Sequence, residues 1–305
     1  MNKLNKKYVI NRLRKSKWLY VLFVIPLTYY IIFQYVPIYG IVLAFKDFQI
    51  MRGILGSPWA GFVHFEQFLP DPYFWKLFRN TFLISFYGML WGFPIPIILA
   101  LLLNEVKNQK FKRFVQNMTY LPHFISTVVI CGMIVNFLAT DGLVSQIVRF
   151  FGGPQKNFLM FPEYFRTIYI SSGIWQGAGW SSIIYLAALS GIDAEQYEAA
   201  ILDGANRFQK MIYITLPGIK PTIAIMLMLR LGQLVSVGFE KVLLLQTGAT
   251  YETSDIISTF VYRRGILGAQ FSYATAVGLF QMLISLALVI SSNAAARKLG
   301  ENSLW

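Results

Sequence analysis

The stretch Ala194-Glu195-Gln196-Tyr197-Glu198-Ala199-Ala200-Ile201-Leu202-Asp203-Gly204-Ala205-Asn206-Arg207-Phe208-Gln209-Lys210-Met211-Ile212-Tyr213-Ile214-Thr215-Leu216-Pro217 is a polar island between two long apolar runs. Glu195 to Leu202 favours a short helix with acids in its first turn, Gly204 supplies a turn, and Asn206 can cap a second helix. That second helix carries Arg207 and Lys210 on one face and ends near Pro217. The predicted product is a helix-turn-helix lying at a membrane surface. It is polar enough to be wetted, with Ala199, Ala200, Leu202 and Phe208 available to enter a groove. An ordinary amphipathic surface helix has the same periodicity, so periodicity alone does not separate the two readings.

Outward from this island the chain is apolar. Of its 305 residues 56% are apolar and only 13% charged, too greasy for an ordinary soluble domain of this length. A helix needs about 20 apolar residues to cross ~30 Å of hydrocarbon at ~1.5 Å per residue. Uncharged runs cover 18–45, 81–103, 114–140, 167–192 and 265–296, and the run 221–239 is interrupted once, by Arg230. These predict an all-α integral membrane protein with six transmembrane helices near 19–38, 81–103, 118–138, 168–190, 217–238 and 273–292. The predicted division is a basic segment at 1–17, a six-span domain over 18–296 containing the island at 195–217, and a tail at 297–305.

Charge sets the orientation. Lys3, Lys6, Lys7, Arg12, Arg14, Lys15 and Lys17 precede the first run, as expected of a start retained in the cytoplasm near anionic lipid. With the N-terminus inside, six crossings return the C-terminus inside, and sixteen Lys and Arg lie on inner segments against ten on outer ones. A cleaved signal peptide fits poorly, because the run 18–45 far exceeds the roughly 7–15 residues of a signal core. The net charge of +13 is spread beside apolar runs rather than gathered in one patch, which argues against nucleic acid as a partner. One cysteine, Cys131, and two distant histidines, His64 and His123, leave little for a metal site or a catalytic cluster, and none is predicted. Gly88 with Gly92 and Gly173 with Gly177 have the G-x-x-x-G spacing that permits close helix approach, and Pro26, Pro94, Pro96, Pro122 and Gly179 predict kinks.

The spacing within the island is the most specific signal. Glu198-Ala199-Ala200, three residues, Gly204, nine residues, Ile214, one residue, Leu216-Pro217 resembles the full EAA signature of the inner-membrane permeases of binding-protein-dependent ABC importers. Three further stretches are similar to the carbohydrate branch of these permeases, and within it to the subgroup importing oligosaccharides released from complex polysaccharides. They are Tyr35-Val36-Pro37-Ile38-Tyr39-Gly40-Ile41-Val42-Leu43-Ala44-Phe45-Lys46-Asp47-Phe48, Tyr120-Leu121-Pro122 and Phe271-Ser272-Tyr273-Ala274-Thr275-Ala276. The resemblance covers nearly the whole chain.

The resemblance implies a multi-pass protein of the bacterial cell membrane with both termini in the cytoplasm. It implies that the EAA loop forms coupling helices that dock into a cleft on an ATPase subunit. Glu198 would face a basic residue there, Gly204 would supply the bend, and Asp203 would cap or join the interface, alongside Ala199, Ala200, Ile214, Leu216 and Pro217. The alternative for Glu198 is stabilisation of the helix dipole, worth about 0.3–1 kcal/mol. No Gly-x-x-x-x-Gly-Lys-Ser/Thr occurs, so ATP and Mg are expected on partner subunits and no cofactor on this chain. The implied partners are a second homologous permease, two copies of an ABC ATPase and an extracytoplasmic solute-binding protein touching outer loops near 39–80, 139–166 and 239–272. A homodimer of this chain is the alternative to the second permease.

Arg230 falls near the middle of the fifth predicted span, where an unpaired charge costs from ~3 to over 10 kcal/mol, so it must face protein or water. Gln233 shares its face, Gln281 lies in the sixth span, and Trp175, Gln176 and Trp180 add amide and aromatic groups to the fourth. A sugar path wants this mixture, since hydroxyls need hydrogen bonds and ring faces pack on aromatic planes. Arg230 either pairs structurally, with a carbonyl or a partner's carboxylate, or meets a carboxylate on a uronate-containing oligosaccharide. Amino acids or peptides are the alternative cargo. An ion-coupled secondary transporter or a channel would need midplane acids or an ion filter and leaves the EAA spacing unexplained.

Overall fold

In the computed structural model, residues 15–298 apart from 233, 235 and 236 are described. The basic residues Lys3 to Arg14, Gln233 and the tail 299–305 lie outside the described residues. Among the described residues the chain is helical, with no strand beyond an isolated antiparallel bridge between Lys46 and Trp59.

Helix α1 spans Lys17–Tyr30 and continues through a π turn, Ile31–Tyr35, into a 3-10 segment, Val36–Phe45. Helices α2 (Pro72–Gly92) and α3 (Pro94–Glu105) meet at Phe93, where Pro94 withholds its amide from the helical ladder. Asn108 caps the amphipathic α4 (Gln109–Tyr120), which Pro122 separates from α5 (Thr127–Leu138) and then α6 (Leu143–Phe150). Helix α7 (Pro162–Leu189) precedes α8 (Ala194–Leu202) and α9 (Arg207–Lys210). Then come α10 (Lys220–Leu231), α11 (Phe239–Leu245), α12 (Ile257–Val261) and α13 (Phe271–Lys298).

Among the described residues four segments are long and apolar enough to cross a membrane: Lys17–Phe45, Pro72–Glu105, Thr127–Phe150 and Phe271–Ser291. A fifth exists if Arg207–Gly218 and Lys220–Leu231, bent by 60°, count as one. Helix α7 is long enough, about 42 Å at ~1.5 Å per residue, but its serines, glycines and glutamine keep it below the same hydropathy. It can be polar because it touches α2, α3 and α4 rather than lipid alone.

Several boundaries move from their predicted places. The second span starts at Pro72 and takes in Lys76 and Arg79, because Asp71 caps the helix by accepting from the Tyr73 amide 2.8 Å away. The third begins at Thr127 rather than 118, since 109–120 forms the separate helix α4. Helix α10 has only 12 residues, ending at Leu231 before Gly232, and so is shorter than the span predicted near 217–238. Helix α13 runs on to Lys298, into the predicted tail. Much of the predicted outer loop 239–272 folds inward, burying Val242, Leu245, Asp255, Ile256, Ile257 and Phe260.

The side chains are sorted for lipid. Helix α1 buries nothing, and Trp18, Leu22 and Phe23 stand exposed; in water such a face would aggregate, whereas in hydrocarbon it is matched to its solvent. Inside, three apolar clusters stack along α2, α3 and α7: Phe68, Phe74, Leu77, Ile257, Phe260 and Val277 at one end, Ile84, Cys131, Phe165, Val242 and Leu245 in the middle, and Ile97, Ala100, Tyr185, Leu189 and Ile219 at the other. The first is clamped by Asp255, 1% exposed, which accepts from Arg263 at 2.6 and 3.1 Å, from Thr259 at 2.8 Å and from the Tyr73 hydroxyl. That carboxylate raises the Arg263 pKa above its ordinary value. Asn80 extends the clamp, donating to the carbonyls of Glu252 (2.9 Å) and Asp255 (3.1 Å) and accepting from Arg166 at 2.9 Å.

Candidate functional site

The island between α7 and α10 folds as an elbow. Asp193 caps α8 by accepting from the Glu195 amide at 3.0 Å. The helix ends at Leu202, and Gly204 reverses the chain with φ +79°, a left-handed conformation costly for side chains with a Cβ. Asn206 and Gln209 then form a reciprocal capping box, each side chain accepting from the other's backbone amide at 2.9 and 2.8 Å.

The two arms are tied on their inner side. Tyr197 Oη and Thr215 Oγ1 lie 3.0 Å apart, and Thr215, buried, also donates to the Lys210 carbonyl at 3.2 Å. Gly218 packs so tightly on Ile192 that an added Cβ would come within 2.7 Å of its Cδ1. The next residue, Ile219, is 0% exposed among Ile97, Ala100, Tyr185 and Leu189. The outer side is open: Glu198, Ala199, Asp203 and Gly204 are exposed, with Leu202 89% and Phe208 64% exposed beside them. Glu198 has no ion-pair partner among the described residues. Ile214 is half-buried, and Leu216 and Pro217 are exposed. An acidic side chain flanked by unpaired apolar ones is a surface suited to another protein.

At the other functional locus, a cleft of about 270 Å³ opens between α2, α7 and the segment from Arg230 to Gly238. Its lining combines small residues, Gly88 and Gly92 from α2 and Gly173, Gly177, Ala178 and Ser181 from α7, with larger ones such as Ile84, Met89 and Ile174. A Cβ at Gly88 or Gly177 would meet nothing within 4 Å, so these glycines leave space rather than bring helices together. The close approach falls elsewhere. A Cβ at Gly179 would stand 2.1 Å from the Thr119 carbonyl oxygen, which packs α7 against α4.

Arg230 lines this cleft with Ser85, Tyr169 and Ser181, and has no carboxylate within 4.0 Å among the described residues. Of the other predicted path residues, Trp175, Gln176, Trp180 and Gln281 do not line it, and Gln233 lies outside the described residues. Trp180 stacks on His123 with centroids 4.7 Å apart and planes 3° off parallel, and Gln176 donates to the Ile125 carbonyl at 3.5 Å. Trp175 is exposed on α7, and Gln281 lies half-buried on α13. Sequence reasoning missed Gly88, Gly177, Tyr169, Ser85 and Ser181 as a set, although the two glycine pairs are visible in the sequence.

Residues 92–301 match the family described as binding-protein-dependent transport system inner membrane component. The chain is 44% identical over 301 residues to the polygalacturonan/rhamnogalacturonan transport system permease protein YteP of Bacillus subtilis (strain 168), covering 98% of this chain and 94% of that protein. Its fold is similar, with TM-score 0.88 and 41% identity, to a chain of a bacterial ABC transporter involved in import of the acidic polysaccharide alginate, covering 95% of this chain and 98% of that one. A second structure, a bacterial alginate ABC transporter with an alginate pentasaccharide-bound periplasmic protein, gives TM-score 0.88 at 40% identity, over 96% and 99% of the two chains.

Proposed function

The chain belongs to the inner-membrane components of binding-protein-dependent transport systems, and we propose that it forms half of the translocation path of an ATP-driven importer of acidic, uronate-containing oligosaccharides. One observation carries the substrate class. Arg230 lines a cleft whose wall mixes glycines and serines with apolar side chains such as Ile84, Met89 and Ile174, and its guanidinium, with no carboxylate within 4.0 Å among the described residues, is placed to pair with a carboxylate of cargo. The polygalacturonan and alginate relatives support that choice. Replacing Arg230 with Gln and measuring uptake of charged and neutral sugars tests it: a selective loss for the charged sugar is expected, and an equal loss for both removes the idea.

In this reading the chain crosses the membrane six times, through 17–45, 72–105, 127–150, 162–189, the bent segment 207–231 and 271–298. Both termini and the elbow are cytoplasmic, as the distribution of Lys and Arg favours. Glu198, Ala199, Ala200, Asp203, Gly204, Ile214, Leu216 and Pro217 form the docking surface for an ABC ATPase, which supplies ATP and Mg. The exposed, unpaired character of Glu198, Leu202 and Phe208 supports this. A second permease covers α1, whose residues bury nothing against their own chain. A solute-binding protein delivers cargo at the segments 39–80, 139–166 and 239–272. Labelling a cysteine at position 198 from one side of sealed vesicles tests the orientation, and reaction from the extracytoplasmic side would refute it.

A further inference from the structure

Lys241, on α11, is 8% exposed. Its ammonium donates to the Tyr169 carbonyl at 3.1 Å and lies over the Tyr169 ring, 5.0 Å from the centroid. A Cβ on Gly173 would stand 3.5 Å from the nitrogen. Tyr169 and Gly173 both line the cleft that Arg230 enters. No carboxylate lies within 4.0 Å of the ammonium among the described residues, and the Tyr169 ring it covers packs against the apolar cluster that includes Cys131, Val242 and Leu245. Taking an ammonium out of water is costly unless its charge is used. Tethering α11 to α7 would not require it, since any hydrogen-bond donor could serve the Tyr169 carbonyl. Because position 173 is glycine, no side chain separates the charge from the backbone that forms the cleft wall.

We propose that Lys241 is a specificity-determining residue of the cleft, its ammonium acting at the Tyr169–Gly173 wall to favour sugar units that carry a carboxylate. This rests on the reading of the cleft as a path for acidic oligosaccharides. Arg230 would be the group that touches cargo, and Lys241 a second positive centre acting without contact. A fixed charge in a water-poor site acts over several ångströms more strongly than at an exposed surface.

The test uses the complete importer, with both permeases, the ATPase and the binding protein, in proteoliposomes. The probes are a uronate trisaccharide and the same trisaccharide with its carboxylates reduced to alcohols, each loaded to saturation on the binding protein. Lys241→Met is expected to lower the acidic-to-neutral uptake ratio about tenfold, and Lys241→Arg to preserve it. Loss of both uptakes in equal proportion, or an unchanged ratio, overturns the proposal. Should Lys241→Met fail to assemble, Gly173→Ala keeps the ammonium and inserts a methyl at ordinary contact distance. It should shift the ratio the same way by about twofold, and an unchanged ratio there overturns the proposal as well. The parent reading fails separately: a wild-type importer indifferent to the carboxylates sinks both, whereas a selective defect in Arg230→Gln beside an unselective Lys241→Met sinks only this one.

Discussion

Tyr197 Oη and Thr215 Oγ1 stand 3.0 Å apart and join the arms of the elbow across Gly204 and Asn206. A side-chain hydrogen bond of this kind contributes about 0.5–1.5 kcal/mol net. Tyr197→Phe should therefore leave the chain folded while letting the arms move independently. Measured as sugar imported per ATP hydrolysed in proteoliposomes, the ratio should fall several-fold; an unchanged ratio would show that the bond is dispensable.

The turn itself is more demanding. Gly204 has φ +79°, so Gly204→Val forces a β-branched residue into a left-handed conformation at about 1–3 kcal/mol. Combined with Glu198→Ala, it should abolish co-purification of the ATPase while the chain still inserts. Retained ATP-coupled import in the double variant would contradict the assignment of the elbow as the docking surface.

Glycines in the cleft and at the helix contact should respond in opposite ways. Gly88→Ala and Gly177→Ala add a Cβ that meets no atom within 4 Å, so melting in detergent should be little changed while the methyls narrow the cleft and lower uptake. Gly179→Ala would drive a methyl toward the Thr119 carbonyl and should lower the melting temperature by several degrees, the consequence of about 1–3 kcal/mol of overpacking. Equal thermal stability in all three would refute this division.

The clamp at Asp255 is structural. Asp255→Ala leaves Arg263, half-buried and able to reach water, without its partner and removes the acceptor used by Thr259 and Tyr73, a loss of about 1–3 kcal/mol. The variant should show early protease cutting within 251–264. Wild-type resistance would place the stability of that segment in its apolar contacts instead.

The sequence was most informative where local chemistry decides the conformation. Gly204, Asn206 and the acids of α8 announce the elbow because turn and cap preferences act within a few residues. The long uncharged runs announce membrane segments because a span is a matter of length. Long-range packing was not legible in this way. Helix α10 stops at Leu231, although the run continues in composition to Phe239, because Gly232 and the inward fold of α11 intervene. That Trp180 stacks on His123, 57 positions away in the chain, could not be read from either residue's local surroundings. The glycine pairs have the spacing of a helix contact, yet whether a glycine admits a neighbouring helix or leaves a void depends on what stands opposite it.

The 60° bend between Arg207–Gly218 and α10 gives the elbow the character of a crank. A push along the first axis projects onto the second by cos 60°, or one half, so the remaining motion must appear as sideways swing of α10. Ile219, wholly enclosed, sits at the pivot, and Gly218 pressed on Ile192 keeps the joint from flexing. In the importer proposed above, a shove at the elbow would thereby swing the helix that bears Arg230 across the cleft, converting an axial stroke into widening or narrowing of the passage.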